Sequence, residues 1–111
     1  MKKTVNNFAV SGFVAVEPMV NNFESASVAR FPLSISRTET VDGKETRKSA
    51  LINIEAWRKN DNRSEFECIK KSALITVEGY FKPEEWTDKE EKRHQRIVFA
   101  ATKIYPTPDK E

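Results

Sequence analysis

Along much of this chain apolar side chains recur at every second position, the period of a strand with one buried face. From Val5 to Val16, Phe8, Val10, Val14 and Val16 alternate with smaller or polar residues. Gly12 interrupts that run where a barrel strand has to bend, and Glu17-Pro18 ends it. From Val28 to Arg37 the set Phe31, Leu33 and Ile35 faces one way, and Arg30, Ser34 and Ser36 the other. From Ala50 to Trp57 the core set is Ile52, Ile54 and Ala56, while Leu51, Asn53, Glu55 and Trp57 face away. Ile75, Val77 and Phe81 form a fourth inward set, and Ile97, Phe99 and Ala101 a fifth.

The breaks between these runs are as informative. Asp42-Gly43 is a turn signal inside a polar loop. Ser64-Glu65-Phe66-Glu67 has the spacing of a capping box and predicts a short helix from Ser64 to Lys71. The polar segment Pro83 to Gln95 joins the last two runs as a long hairpin, and Met1 to Lys3 and Pro106 to Glu111 read as loose ends. The order is three strands, one short helix and two strands. A parallel α/β fold needs a helix in nearly every crossover and is ruled out. The expected fold is all-β: a five-stranded OB-fold barrel with one short helix between strands 3 and 4. Residues 1–105 form that domain and residues 106–111 a short flexible tail.

Length and composition narrow the class. With 111 residues and 38% hydrophobic content, the chain suits one domain with one core. A formal charge of +2 is too small to mark a polyanion binder by itself, so the placement of the charges has to carry any such reading. Cys68 is the only cysteine, which excludes an intrachain disulfide and fits a reducing compartment. No apolar run approaches the roughly 20 residues of a membrane span. The expected location is cytoplasmic, without a membrane partner.

Trp57 is the most informative single residue, because it is out of phase with Ile52 and Ile54 and shares its face with Asn53. A large aromatic placed so lies at a subunit interface or on a ligand platform, and on an OB barrel this face is the usual nucleic-acid surface. An exposed indole there stacks on any base. Trp86 stands in the polar hairpin EEWTDKEEKRH with nothing to bury it; it either folds back on that hairpin or clamps a flexible strand. Basic residues near the two tryptophans, among them Arg37, Arg58, Lys59, Lys71 and Lys82, are candidates for phosphate contacts. One His (His94) and one Cys make no zinc set, no nucleophile has a base at a recognisable spacing, and three glycines form no phosphate loop. The sequence therefore predicts no enzyme activity, no cofactor, no metal and no small-molecule substrate.

Over about residues 5 to 105 the chain resembles the bacterial single-stranded DNA-binding protein family. The stretches that carry the resemblance are VNNFAVSGFVAVEP, SVARFPLSISR and CIKKSALITVEGYFKPEEWTDKEEK, with Trp-Thr-Asp beginning seven residues after Gly79 as the most specific piece. The resemblance implies a homo-oligomer, dimer or tetramer, of OB folds that binds single-stranded DNA without sequence preference, protects it during replication, recombination or repair, and is nucleoid-associated. It implies that Trp57 and Trp86 stack on bases and that Lys59, Lys71 and Lys82 lie on the DNA path. Glu39 and Leu51 stand where many members carry tryptophan, Asn53 replaces a basic residue, and Glu84 and Glu85 replace basic residues before Trp86. These departures point to weaker binding or a shorter footprint. The family's acidic tail is not matched by Pro108-Asp109-Lys110-Glu111, so tail-mediated protein partners are not expected. The alternative function is a primosomal-type OB adaptor that bridges replication proteins and binds DNA weakly. Apolar residues on the second faces of the first and last strands (Ala9, Phe13, Ala15, Val98 and Ala100) independently predict a homo-oligomer.

Overall fold

The computed structural model describes residues 3–108, with the side chains of all of these except residues 61–63. The elements run β1 (Phe8–Val14), β2 (Met19–Asn22), β3 (Ala26–Val41), β4 (Lys44–Lys59), a 3₁₀ helix (Asn60–Cys68), β5 (Leu74–Thr87) and β6 (Arg93–Pro106). All strands join one sheet in the order β1-β5-β6-β4-β3-β2, and β1 also pairs with β3, which closes the barrel.

The six strands make five staves. Val14 lies opposite Leu33 and Met19 opposite Arg30, so β1 and β2 follow each other along the same edge of β3. The Ala15 N–H donates to Pro32 O at 3.1 Å, and the chain then leaves the ladder around Glu17-Pro18, where proline has no N–H to offer. The fold is thus the expected five-stranded OB barrel with its first strand broken. Gly12 sits where β1 turns onto β3, and a side chain there would run into the Ser34 carbonyl. Gly79 plays the same part at the β-bulge of the β5–β6 ladder, against the Ala100 carbonyl.

The core follows the alternation. Val14, Phe31, Leu33, Ile54, Ile75 and Val77 are buried, with Ala29, Ala56 and Ala101 filling the close approaches. Three residues expected in the core are not. Val16 lies in the break between β1 and β2, Ile97 lies where the β5–β6 hairpin leaves the barrel, and Phe81 packs with Phe8 and Phe99 at ring distances of 5.3 and 5.5 Å while staying partly in water. Val98, expected on an open second face, is buried.

The remaining differences have local causes. The segment around Asp42-Gly43 is no loop: β3 and β4 stay paired up to Val41 opposite Lys44, and the two turn residues take φ of 53° and 79°. Two positive φ values are what a two-residue hairpin with the strand's own twist requires. The helix starts at Asn60 rather than Ser64, is 3₁₀ rather than α, and has no side-chain cap, so the capping-box spacing is not used. Lys70 and Lys71 fall in the following turn. β6 extends through Pro106, opposite Ile75, because a last strand residue needs no N–H of its own. Thr107 then donates its N–H to Leu74 O at 3.2 Å. The rest of the expected tail, residues 109–111, lies outside the described residues.

β4 and β6 pair in parallel at Ile54↔Phe99 and Glu55↔Ala100. The tips of the β3–β4 and β5–β6 hairpins lie on the same side of that contact, and Trp57 on the other.

Candidate nucleic-acid interface

On the outer face of β4, Leu51, Asn53, Glu55 and Trp57 stand in register with Ser34, Pro32, Arg30 and Val28 of β3. Trp57 is 45% exposed, as its phase predicts. Its ring is fixed from two directions. The indole N–H donates to Glu55 Oε1 at 2.8 Å, and the Phe23 ring stacks on it at 5.7 Å between centroids and 21° between planes. The other carboxylate oxygen of Glu55 accepts from Arg30 Nε at 3.2 Å, so the charge of Arg30 is balanced within the face.

Phe23, Glu55 and Arg30 are site residues that sequence reasoning did not assign. Phe23 did carry a signal: it is an aromatic alone in the polar stretch NNFES, the criterion that singled out Trp86.

Next to this cluster a groove of about 410 Å³ crosses the outer faces of β2, β3, β4 and β6. Asn53 and Arg30 supply polar groups along it, and the exposed side chains of Met19 and Ile97 supply apolar walls. Arg96 stands at its β6 edge.

The β5–β6 hairpin carries the second tryptophan. Trp86 is 46% exposed and stacks on His94, its partner across the ladder, at 5.3 Å and 19°. The Arg96 guanidinium carbon lies 5.6 Å from the same indole. The ring therefore rests on its own hairpin, the first of the two sequence readings, and keeps a large open surface. The cations around it are paired. Arg96 donates to Glu84 Oε1 from Nε at 2.9 Å and from Nη2 at 2.8 Å, and Lys82 Nζ is 3.7 Å from Glu84 Oε2. Glu85 takes Arg93 at 3.4 Å and the Gln95 amide at 2.8 Å. His94 Nε2 lies 2.6 Å from Asp88 Oδ2. The hydrogen bonds from Arg96 hold the Glu84 carboxyl below its usual range, and the bond to His94, helped by the Lys92 N–H, does the same for Asp88.

The two tryptophans are far apart. From the Glu55↔Ala100 contact, Trp57 lies two residues one way and His94 six the other. Eight strand residues span about 26 Å.

The other expected residues divide. Asn53 and Lys59 share the outward phase of Trp57. Lys82 lies opposite Val98 at the base of the hairpin. Lys71 is exposed in the turn after the 3₁₀ helix, its N–H 3.3 Å from Glu17 Oε1 at the rim of the groove. Arg37 is exposed but stands opposite Lys48 on the core phase of β3, nine residues from Val28, the partner of Trp57. Arg58 points to the opposite face from Trp57, and its side chain is only 13% exposed. All five of its N–H groups donate within the chain: two to Glu65 Oε2, and one each to the carbonyls of Trp57, Ala101 and Thr102. That side chain ties the 3₁₀ helix to β6.

Cys68 donates to Glu65 O at 3.2 Å, and burial pushes its thiol pKa up, the opposite of an activated nucleophile. Among the described residues no group of His, Cys, Asp and Glu is placed to hold a metal ion, and no helix is long and apolar enough to cross a membrane.

Comparison with known proteins agrees with this fold. The family model described as the single-strand binding protein family matches residues 5–106. A search of curated proteins gave no match. Among solved structures, a Plasmodium falciparum SSB in complex with single-stranded DNA superposes with a TM-score of 0.73 at 17% identity, covering 95% of each chain. A deletion mutant of the single-stranded DNA binding protein from Thermus aquaticus gives 0.76 at 18% identity, covering 94% of this chain and 51% of that one. At such identities the superpositions establish the barrel and nothing about individual contacts.

Proposed function

The chain belongs to the single-strand binding protein family, a family of non-enzymatic single-stranded DNA binders, and from that membership we propose how its surface holds the strand. The DNA lies across the outer face of β3 and β4, with a base on Trp57, the backbone passing Asn53 and the groove beside it, and a later base on Trp86. The observation that carries this reading is the half-exposed Trp57 ring, anchored by Glu55 and Phe23 on the outer face while Ile54 and Ala56 fill the core behind it. Stacking accepts every base, so binding is independent of sequence. Lys59, Lys71 and Lys82 contact phosphates. Arg58 acts indirectly, through the 3₁₀ helix it anchors, and Arg37 touches only strands long enough to reach the outer β3–β4 hairpin.

The protein works as a homo-oligomer, dimer or tetramer. Phe13 and Leu74 are register partners on β1 and β5 and both remain exposed, an apolar pair that a second subunit would cover. Its setting is the cytoplasm, at single-stranded regions of the nucleoid, where it shields DNA during replication, recombination or repair.

The test is a titration with oligo-dT and with a duplex of equal length. Oligo-dT is expected to bind at least tenfold more tightly and to quench the tryptophan emission. Equal affinity for the two would reject the stacking surface, since a duplex keeps its bases stacked on each other.

A further inference from the structure

Phe23 lies in the turn between β2 and β3, and the chain goes to some length to hold it in place. Its N–H donates to Ala26 O at 2.8 Å, and its carbonyl accepts from the Asn60 amide at 3.0 Å, which also reaches Glu24 O at 3.1 Å. Asn60 Oδ1 lies 2.7 Å from the hydroxyl of Ser27, which is fully buried. A network rooted in the barrel thus fixes the backbone of a residue whose ring is 54% exposed. That ring stacks on Trp57, and each of the two is about half exposed. The contact is offset, so each ring meets the other and still keeps open π-surface.

Hydrophobic burial accounts for only part of this arrangement: Val28, opposite Trp57, is fully buried, but a ring left half in water gains only part of the burial energy of a Phe. Stacking gives a better account. The two rings meet at a distance typical of offset aromatic pairs, and the open π-face of Phe23 is as able to receive a base as that of Trp57.

We propose that Phe23 is a second base-stacking residue, which with Trp57 forms a two-ring platform for two bases of a single strand. This rests on the outer face of β4 being the DNA surface. Glu55, bonded to the indole N–H, is a positioning residue for the platform, and the Asn60 network sets the place of the Phe23 ring.

The experiment uses the full chain carrying Trp86→Phe, so that Trp57 is the only tryptophan, with oligo-dT affinity measured for Phe23→Ala, Phe23→Leu and Phe23→Tyr in that background. Loss of one stacked base weakens affinity about 5- to 100-fold, and both Phe23→Ala and Phe23→Leu are expected in that range. Phe23→Tyr keeps the ring and is expected to bind within about threefold of its parent, less than the loss of any one stacked base. Leucine covers the indole as well as phenylalanine does but has no π-face. Binding of Phe23→Leu at the parent's affinity therefore overturns the proposal, as does binding of Phe23→Tyr as weak as that of Phe23→Ala. A change of mass by light scattering in Phe23→Leu, with oligo-dT binding intact, would assign the residue to a subunit contact and also overturn it. Oligo-dT binding by the unmodified chain that survives Trp57→Ala would sink the underlying surface as well. Dependence on Trp57 together with indifference to Phe23→Leu would sink only the role of Phe23.

Discussion

Trp86 and His94 stack across the β5–β6 hairpin with ring centroids 5.3 Å apart, and the far nitrogen of His94 lies 2.6 Å from Asp88. The hairpin is paired as far as Thr87 opposite Arg93, so Trp86 is held ready and is not ordered only when DNA arrives. What limits it is its company. Glu84 shares the indole's face of the hairpin, and a phosphate approaching the indole meets its carboxylate. Replacing Trp86 with Ala is therefore expected to weaken oligo-dT binding by about 1 kcal/mol, the low end for one stacked base. Fluorescence titration measures it, and a loss as large as that from Trp57→Ala would count against this account of the hairpin.

Glu84 accepts both hydrogen bonds that Arg96 directs at it, so a phosphate and Glu84 compete for one guanidinium. The Arg96 bonds lower the pKa of Glu84 from its ordinary 4.5. A lowered folded-state pKa means that the pair's contribution to hairpin stability is present above the unfolded value and is lost as pH falls through the folded one. DNA affinity runs the other way: protonating Glu84 below about pH 4.5 frees Arg96 for phosphate. Oligo-dT affinity is expected to rise on acidification through that range. Glu84→Gln is expected to bind about 2- to 5-fold more tightly near neutral pH and to lose much of the acid rise. A titration series from pH 7 to pH 3 reads both effects. An unchanged affinity in Glu84→Gln would show that Arg96 does not contact the backbone.

Arg58 was expected on the DNA path and instead bridges β4, β6 and the 3₁₀ helix. Arg58→Ala removes charge-assisted bonds in a mostly buried setting and leaves carbonyls of Ala101 and Thr102 without this donor. It is expected to destabilise the fold by about 2–3 kcal/mol, seen as a drop in the thermal midpoint. The species that remains folded should bind oligo-dT within a few-fold of the unmodified chain. A large loss of binding with the thermal midpoint unchanged would return Arg58 to the DNA path.

The sequence carried the barrel because alternation reports burial. Ile54 is buried and Trp57 open three residues later, as an alternating strand requires, and the same phase separates Phe31 and Leu33 from Arg30. It carried far less where no core stands behind the strand. Residues from Thr38 to Ala50 are almost all exposed in a hairpin with water on both faces, so nothing enforced an alternation to read, and only Asp42-Gly43 marked the turn. The short β2 was invisible for the same reason. The site was legible to the same degree. Trp57 and Asn53 could be placed by phase, whereas the destination of Arg58 depended on Glu65 and on carbonyls of β6, more than 40 residues away in the chain. The Phe23–Trp57 contact joins a turn to a strand 34 residues later, and no local pattern encodes it.

The central claim is that the outer face of β4 takes bases by stacking, and Trp57→Ala tests it most directly. Trp57 lies outside the core, so the variant is expected to fold, with its mass by light scattering and its thermal midpoint little changed. Its oligo-dT affinity, measured by anisotropy of a labelled oligonucleotide at one fixed salt concentration, should fall by about 1–3 kcal/mol, and the quenching that remains should come from Trp86 alone. A folded Trp57→Ala protein that binds oligo-dT as tightly as the unmodified chain would contradict the account.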